Sequence, residues 1–180
     1  MIPDWMSSAT RPFDTVLVAN RGEIAVRVLR AAKESGLRGV AVYSDPDAGS
    51  LHVENADQAV HLPGTTLADT YLNGDAIIQA ARSTGAQAIH PGFGFLSERA
   101  DFANAVKAAG LIWIGPPANA IETMGDKISA RRCMIESGVP VIPGEEISMG
   151  GDSDHLGVLA SAAARVGYPL LLKASAGGGG

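Results

Sequence analysis

The chain has 180 residues, enough for one domain or for one domain and part of a second. Hydrophobic residues make up 46% and charged residues 18%, which is typical of a folded soluble protein and excludes a chain that is disordered throughout. The formal net charge of −5 argues against broad nucleic-acid binding, although it leaves room for a local basic pocket.

Residues 1–12 are predicted to form a disordered N-terminal arm. They carry neither the apolar core of a secretory leader nor the several arginines of a transit peptide. No stretch of the chain approaches the roughly 20 apolar residues that a membrane span needs. The single cysteine, Cys133, excludes an internal disulfide and fits a reducing cytosol. We therefore expect a cytoplasmic protein with no membrane and no nucleic-acid partner.

Strands and helices are predicted to alternate over residues 13–114. Short apolar runs followed by turn residues predict buried strands at 16–19, 39–43, 58–62, 87–90 and 111–114. Helices are expected after residue 20, from a cap at Asn73 to Gly85, and from about Ser97 to Gly110. The first helix is expected to bury Ile24, Val28, Ala31 and Ala32. This alternation predicts an α/β fold with a doubly wound parallel sheet.

The pattern changes after Pro116-Pro117. Helical pieces are predicted around 118–124 and 127–137, followed by a helix with Leu156, Leu159, Ala163 and Val166 and by a final strand at 170–173. That strand would deliver Lys173 to a run of four glycines, 177–180. Glycines let backbone N–H groups crowd around a polyanion, and Lys173 adds a positive charge. The combination indicates a site for nucleotide phosphates.

Lys127 is a second candidate for phosphate binding. Asp126 is a good N-cap, so Lys127 would be the first residue of a helix, where a cation opposes the helix dipole by about 0.3–1 kcal/mol. A bound phosphate would reverse that sign, because the lysine and the free N–H groups would both face an anion. The alternative is a lysine directed at solvent.

Ligands of a doubly wound sheet bind beyond the carboxyl ends of its strands, which here are the loops 20–23, 44–50, 91–98 and 115–117. The first of these loops lacks the G-x-G-x-x-G pattern, which argues against dinucleotide binding. In the third, glycines alternate with Phe93 and Phe95. Either the phenylalanines line a pocket in which a flat ligand meets the main chain, or they plug the core.

The polar face of the first helix carries a stripe of Arg27, Arg30 and Glu34. This stripe is either a solvated helix face or a self-complementary contact between subunits. The histidines at 52, 61 and 155 show no metal-ligand spacing, and no metal site is predicted from them.

Four segments, in this order, resemble the biotin carboxylase component of biotin-dependent carboxylases, such as the α subunits of acyl-CoA carboxylases. They are Val18-Ala-Asn-Arg-Gly-Glu-Ile-Ala25, His90-Pro-Gly-Phe-Gly-Phe-Leu-Ser-Glu98, Met124-Gly-Asp-Lys127 and Lys173-Ala-Ser-Ala-Gly-Gly-Gly-Gly180. The resemblance runs from about Phe13 to Gly180. It implies a Rossmann-like domain at 13–125 and the beginning of an ATP-grasp domain at 126–180.

Members of this family use ATP, Mg²⁺ or Mn²⁺ and bicarbonate to carboxylate biotin on a carrier domain, through carboxyphosphate. The resemblance implies ATP contacts for Lys127, Lys173, Gly179 and Gly180. It implies a biotin contact for Phe93 and Gly94, although many members carry Tyr at position 93. Arg30 and Glu34 match positions of the family's dimer contact. The family's metal ligands and catalytic base correspond to positions after 180, so no catalytic residue is assigned here.

The resemblance further implies a biotin carboxyl carrier, a carboxyltransferase subunit and a homodimer as partners of the full-length protein. The 180 residues alone are expected to turn over no ATP. Two alternatives remain: another ATP-grasp ligase, such as a carbamoyl-phosphate-type synthetase, and a module that only binds or dimerises. The residues do not indicate which molecule finally accepts the carboxyl group.

Overall fold

The computed structural model describes residues 11–147 and 155–173. The chain divides into two compact units, Met1–Ile121 and Glu122–Gly180. Most of the predicted arm, residues 1–10, lies outside the described residues, as do Gly179 and Gly180. Within the predicted arm, Arg11 donates a 2.9 Å hydrogen bond to the carbonyl of Gly36.

The first unit is built on a five-stranded parallel sheet. Its strands are β1 (Thr15–Val18), β2 (Arg38–Tyr43), β3 (Gln58–His61), β4 (Ala88–His90) and β5 (Ile112–Trp113). They lie in the order β3-β2-β1-β4-β5, and every neighbouring pair is parallel. The predicted α/β fold with a doubly wound parallel sheet is confirmed. β1 is buried along its whole length, as expected for a central strand covered on both faces.

Four helices accompany this sheet: α1 (Gly22–Glu34), α2 (Leu51–Glu54), α3 (Gly74–Thr84) and α4 (Ala100–Ala108). The start of α3 is capped by Asn73, whose side chain accepts a hydrogen bond from the N–H of Ala76. Helix α3 ends at Gly85, as predicted, and Gly85 adopts the left-handed conformation. Helix α2 was not predicted from the sequence, because four residues are too few for a helical period to show.

Two predictions about helices were wrong: one about the residue at which a helix begins, and one about which residues a helix buries. The helix expected from about Ser97 begins at Ala100, because residues 95–98 form a 3₁₀ turn instead. In α1 the buried residues are Ala25, Leu29 and Ala32, whereas Ala31 is exposed. The helix is rich in small apolar residues, so two overlapping stripes fit its sequence. The position of the sheet selects the stripe that packs against Val18 and Ala41.

The main core lies on the other face of the sheet. Phe102 and Trp113 meet edge to face there, with ring centroids 5.7 Å apart. The indole N–H of Trp113 donates to the carbonyl of Pro116, which satisfies its polar atom close to the core. This cluster contains the following buried residues from the strands, α3 and α4: Leu17, Val40, Val42, Ile77, Ile89 and Val106.

The second unit is helical in its described residues. Helix α5 (Ala118–Gly125) spans the division between the units, and it is followed by α6 (Lys127–Glu136) and α7 (His155–Val166). The predicted strand at 170–173 is not formed. A strand needs a neighbour to accept its backbone hydrogen bonds, and the described residues of this unit supply none.

Candidate functional site

The candidate site lies where the loops after β1 and β4 meet. The chain leaves β1 towards β2 on one side, whereas β4 lies on the other side of β1. This is the topological switch point at which doubly wound sheets open a crevice for ligands. The two strand ends are joined by a 2.8 Å hydrogen bond from the N–H of Ala19 to the carbonyl of His90.

Asn20 connects the two loops directly. Its side-chain amide donates 2.9 Å hydrogen bonds to the carbonyls of Pro91 and Phe93. Its side-chain oxygen accepts from the N–H of Arg21 at 2.9 Å. The residue is only 2% exposed, so these bonds form away from water, where a missing partner is costly. The side chain therefore fixes the path of the main chain from Pro91 to Phe93.

Gly92 fits against Asn20 and tolerates no side chain. Its φ is +71°, a conformation that favours glycine. A Cβ atom there would lie 2.6 Å from the side-chain nitrogen of Asn20 and 2.8 Å from Cγ2 of Ile24. The N–H of Gly92 donates to Nδ1 of His90 at 2.9 Å. Burial lowers the pKa of His90, which favours the neutral ring that can accept this bond.

The two phenylalanines of the loop are placed differently: Phe95 packs against the core, whereas a ligand pocket lined by Phe93 stays a prediction. Phe93 is 74% exposed. Phe95 turns inward, packs against the core and stacks on Tyr71, with ring centroids 5.6 Å apart and an angle of 10° between the planes. Gly94, between them, has φ +67° and open space around the position of a Cβ. An exposed ring beside open main chain is a surface that a flat ligand can meet.

Asp47 is the centre of a buried polar network behind this loop. Its side chain is 7% exposed and receives Nη2 of Arg21 at 2.6 Å. The hydroxyl of Tyr71 donates to it at 2.6 Å, and the hydroxyl of Ser44 donates at 3.0 Å. The guanidinium of Arg21 also lies over the ring of Tyr71, 5.7 Å from its centroid. The network thus joins the loops after β1 and β2 to the aromatic stack on Phe95.

The network keeps Asp47 ionised. Burial by itself would raise the pKa of Asp47, but hydrogen bonds from Tyr71, Arg21 and Ser44 outweigh it and hold the pKa below its ordinary value. Burial and the bond donated to Asp47 raise the pKa of Tyr71, and the bond to Asp47 raises the pKa of Arg21. At neutral pH, Asp47 is therefore a carboxylate, Tyr71 a neutral phenol and Arg21 a charged guanidinium.

Three of the four predicted functional loops converge, namely 20–23, 44–50 and 91–98. The roles of Asn20, Asp47 and Tyr71 were missed by sequence reasoning. A polar residue directly after a buried strand was a usable signal for Asn20. Tyr71 lies outside every regular element, and nothing in its neighbourhood distinguished it.

Arg30 and Glu34 are both exposed on α1, one turn apart. Their side chains therefore lie on the same face of the helix. The structure leaves them accessible, and the predicted dimer contact stays a prediction.

In the second unit, the cap predicted at Asp126 is formed. Its side chain accepts from the N–H of Ser129 at 2.8 Å, and Lys127 is the first residue of α6. Hydrogen bonding to Ser129 lowers the pKa of Asp126. Lys173 is exposed at the end of the described chain. The ATP contacts predicted for Lys127 and Lys173 stay predictions, and those for Gly179 and Gly180 fall outside the described residues.

Among residues 11–147 and 155–173, no three side chains of His, Cys, Asp or Glu gather in a way that suits a metal ion. None of the helices in those ranges has the length and apolar character of a membrane crossing.

Comparison with known proteins identifies the architecture around the switch point. Residues 12–121 match the family model described as biotin carboxylase, N-terminal domain. The chain belongs to this family. Residues 126–180 match a second model, the ATP-binding domain of the carbamoyl-phosphate synthase L chain. The predicted family is thereby confirmed, and the second match agrees with the expected beginning of an ATP-binding domain after residue 125.

Curated relatives of this biotin carboxylase family member are similar along nearly all of its length. The chain is 49% identical over 170 residues to the mitochondrial methylcrotonoyl-CoA carboxylase subunit alpha of Dictyostelium discoideum, covering 94% of this chain and 24% of that protein. It is 48% identical over 168 residues to the biotin carboxylase of Halalkalibacterium halodurans, covering 93% and 36%. The chain thus spans about a quarter of the first of these relatives and about a third of the second.

A solved relative has the same fold. It is the biotin carboxylase domain dimer of the 2-oxoglutarate carboxylase of Hydrogenobacter thermophilus, in complex with MgADP, ADP and bicarbonate. The TM-score is 0.82 and the identity 45%, over 94% of this chain and 36% of that one. A crystal structure of the Kluyveromyces lactis urea carboxylase is 52% identical over 74% of the chain and 12% of that one, with a TM-score of 0.72.

Proposed function

We propose that this chain is the N-terminal part of a biotin carboxylase, which carboxylates biotin on a carrier in a reaction that consumes ATP and bicarbonate. The observation that carries this proposal is the family match over 12–121, which contains the whole loop from His90 to Glu98. The match over 126–180 alone would also suit the carbamoyl-phosphate alternative. The first match and the relatives favour biotin.

The chain's own residues are proposed to bind and orient. The exposed ring of Phe93 and the open main chain of Gly94 suit the flat ring system of biotin, which needs one apolar face and free N–H groups. Lys127, at the positive end of a capped helix, suits a phosphate oxygen. We assign Lys173, Gly179 and Gly180 to the same nucleotide. ATP, when bound with Mg²⁺ or Mn²⁺, supplies the activation of bicarbonate.

We place the domains at 13–125 and 126–180, after an arm of residues 1–12. The full-length protein is proposed to work with a biotin carboxyl carrier and a carboxyltransferase, and to form a homodimer through Arg30 and Glu34. The named substrates of the relatives differ: methylcrotonoyl-CoA, propionyl-CoA and 2-oxoglutarate all occur. The proposal is therefore limited to the half-reaction that these enzymes share, and the compartment we propose is the cytoplasm.

The test is an assay of the full-length polypeptide that contains this chain. With ATP, Mg²⁺ and bicarbonate present, we expect ADP release to depend on added free biotin. ADP release that ignores biotin but responds to ammonia or glutamine would overturn the proposal in favour of the carbamoyl-phosphate alternative. The 180 residues alone are expected to release no phosphate above the background of a Lys173→Ala variant.

A further inference from the structure

The loop from Pro91 to Phe95 is held at both of its ends by residues that the sequence did not mark as functional. Asn20 restrains its beginning by donating hydrogen bonds to the carbonyls of Pro91 and Phe93. The ring of Tyr71 restrains its end by stacking on Phe95. The exposed ring of Phe93 and the open Gly94 lie between these two restraints.

The loop needs such restraint because its backbone is in a costly conformation. Gly92, Gly94 and Phe95 all have positive φ, and Phe95, at +47°, is not a glycine. A non-glycine residue in that region is strained and persists only where its surroundings hold it. Left free, the segment would relax to other conformations, and the ring of Phe93 would lose its fixed position.

Asn20 is suited to this task by its chemistry. A side-chain amide offers two N–H donors and one acceptor, and here the donors face two carbonyls while the acceptor faces the N–H of Arg21. Aspartate has nearly the same shape, but it would turn a carboxylate oxygen towards both carbonyls. The residue is buried, so no water replaces the lost donors.

We infer that Asn20 is a positioning residue for biotin: it holds the Pro91–Phe95 loop in the conformation that presents Phe93 and Gly94. This inference rests on the proposed function. Its physical consequence is selective. If only a fraction of the molecules holds the loop correctly, the apparent affinity for biotin falls by that fraction. The residues proposed to bind ATP, Lys127, Lys173, Gly179 and Gly180, include none of this loop, so we expect the KM for ATP to change little.

The experiment uses the full-length protein with Asn20→Asp, and free biotin and ATP as varied substrates. We expect the KM for biotin to rise about tenfold, as for a loop that is correctly held in about a tenth of the molecules. The KM for ATP, and kcat at saturating biotin, should stay within about twofold of the parent. The matched control is Asn55→Asp, the same change at an exposed residue whose amide donates to the carbonyl of Leu51 in α2; it should leave both KM values unchanged.

The outcomes distinguish a failure of the proposed function from a failure of the inference about Asn20. A parent protein without biotin-dependent ADP release defeats the proposed function, and the inference with it. An active parent whose Asn20→Asp variant shows equal increases in both KM values, a loss confined to kcat, or no change overturns the inference alone. If Asn20→Asp does not fold, as judged by circular dichroism, Asn20→Ala is read by the same criteria, because it removes the two donors without adding a charge.

Discussion

The ring of Tyr71 lies parallel to that of Phe95 while its hydroxyl, 2.6 Å from Asp47, closes a polar network on the other side. Tyr71 thus connects the loop that carries Phe93 to the loops after β1 and β2. A residue from the long connection between β3 and α3 therefore determines how the candidate site is supported.

Tyr71→Phe tests this connection. The variant keeps the ring on Phe95 but removes one of the donors to Asp47 and the acceptor of the Ser44 N–H. We expect a loss of about 1–3 kcal/mol in the free energy of unfolding, because a buried carboxylate loses a partner. Urea unfolding followed by circular dichroism measures it. Tyr43→Phe is the control, since the Tyr43 hydroxyl bonds to none of the described residues; equal losses for both variants would contradict the assignment.

Gly92→Ala and Gly85→Ala separate backbone strain from a steric clash. The two glycines have nearly the same φ, +71° and +70°, but a Cβ at Gly85 meets nothing within 4 Å. We expect Gly85→Ala to cost about 1 kcal/mol for its left-handed backbone. Gly92→Ala should cost about 1–3 kcal/mol more, because the added carbon overlaps Asn20 and Ile24. Urea midpoints give the comparison, and indistinguishable midpoints would show that Asn20 and Ile24 move aside freely.

His52 predicts a stability that falls in mild acid. Its Nε2 bonds to the carbonyl of Val42, its Nδ1 has no partner among the described residues, and burial lowers its pKa below the ordinary 6.5. Below pH 6.5, His52 binds a proton in the unfolded chain but stays neutral in the folded chain. The contribution of neutral His52 to the free energy of unfolding is therefore fully present above pH 6.5. It is lost as the pH falls from 6.5 towards the lower pKa of the folded state. His52 alone changes the free energy of unfolding by at most about 1.4 kcal/mol per pH unit.

The measurement is the free energy of unfolding of His52→Gln between pH 7.5 and 5. The variant should be less stable at neutral pH but should show a flatter profile, because it has no imidazole to protonate. His155→Gln, at an exposed histidine, should keep the parent's slope. A free energy of unfolding of the parent that does not change over this pH range would contradict the prediction.

Lys127 and Lys173 are expected to act on ATP and not on biotin. In the full-length protein, Lys127→Met and Lys173→Met should each raise the KM for ATP by roughly tenfold or more, as for the loss of a charged hydrogen bond to phosphate. Lys107→Met, at an exposed lysine of α4, is the control and should change nothing. If a variant has an unchanged KM for ATP, the lysine that it lacks does not belong to the proposed ATP site.

Arg30→Glu is expected to weaken the homodimer that we propose for the full-length protein. Reversing a charge on an accessible, self-complementary face places like charges opposite one another across a two-fold axis. Sedimentation at micromolar concentration should show a shift from dimer to monomer, while Lys107→Glu, with the same change in net charge, stays dimeric. A dimer that persists with Arg30→Glu moves the contact away from α1.

The sequence by itself was enough for the sheet, the cap residues Asn73 and Asp126 and the loop from His90 to Glu98, because each depends on neighbours within a few residues. Alternating apolar runs determine strands and helices, and a short polar side chain before a helix determines its start. The family resemblance rested on the same local motifs.

Only the tertiary structure decided which stripe of α1 is buried, which phenylalanine points outward and which residues support the loop. Asn20 and Phe93 are 73 positions apart, and Arg21 and Asp47 are 26 apart. Contacts of this kind follow from strand order, since β1 has β2 on one side and β4 on the other. The strand predicted at 170–173 was wrong for the same reason: an apolar run becomes a strand only where another strand lies beside it.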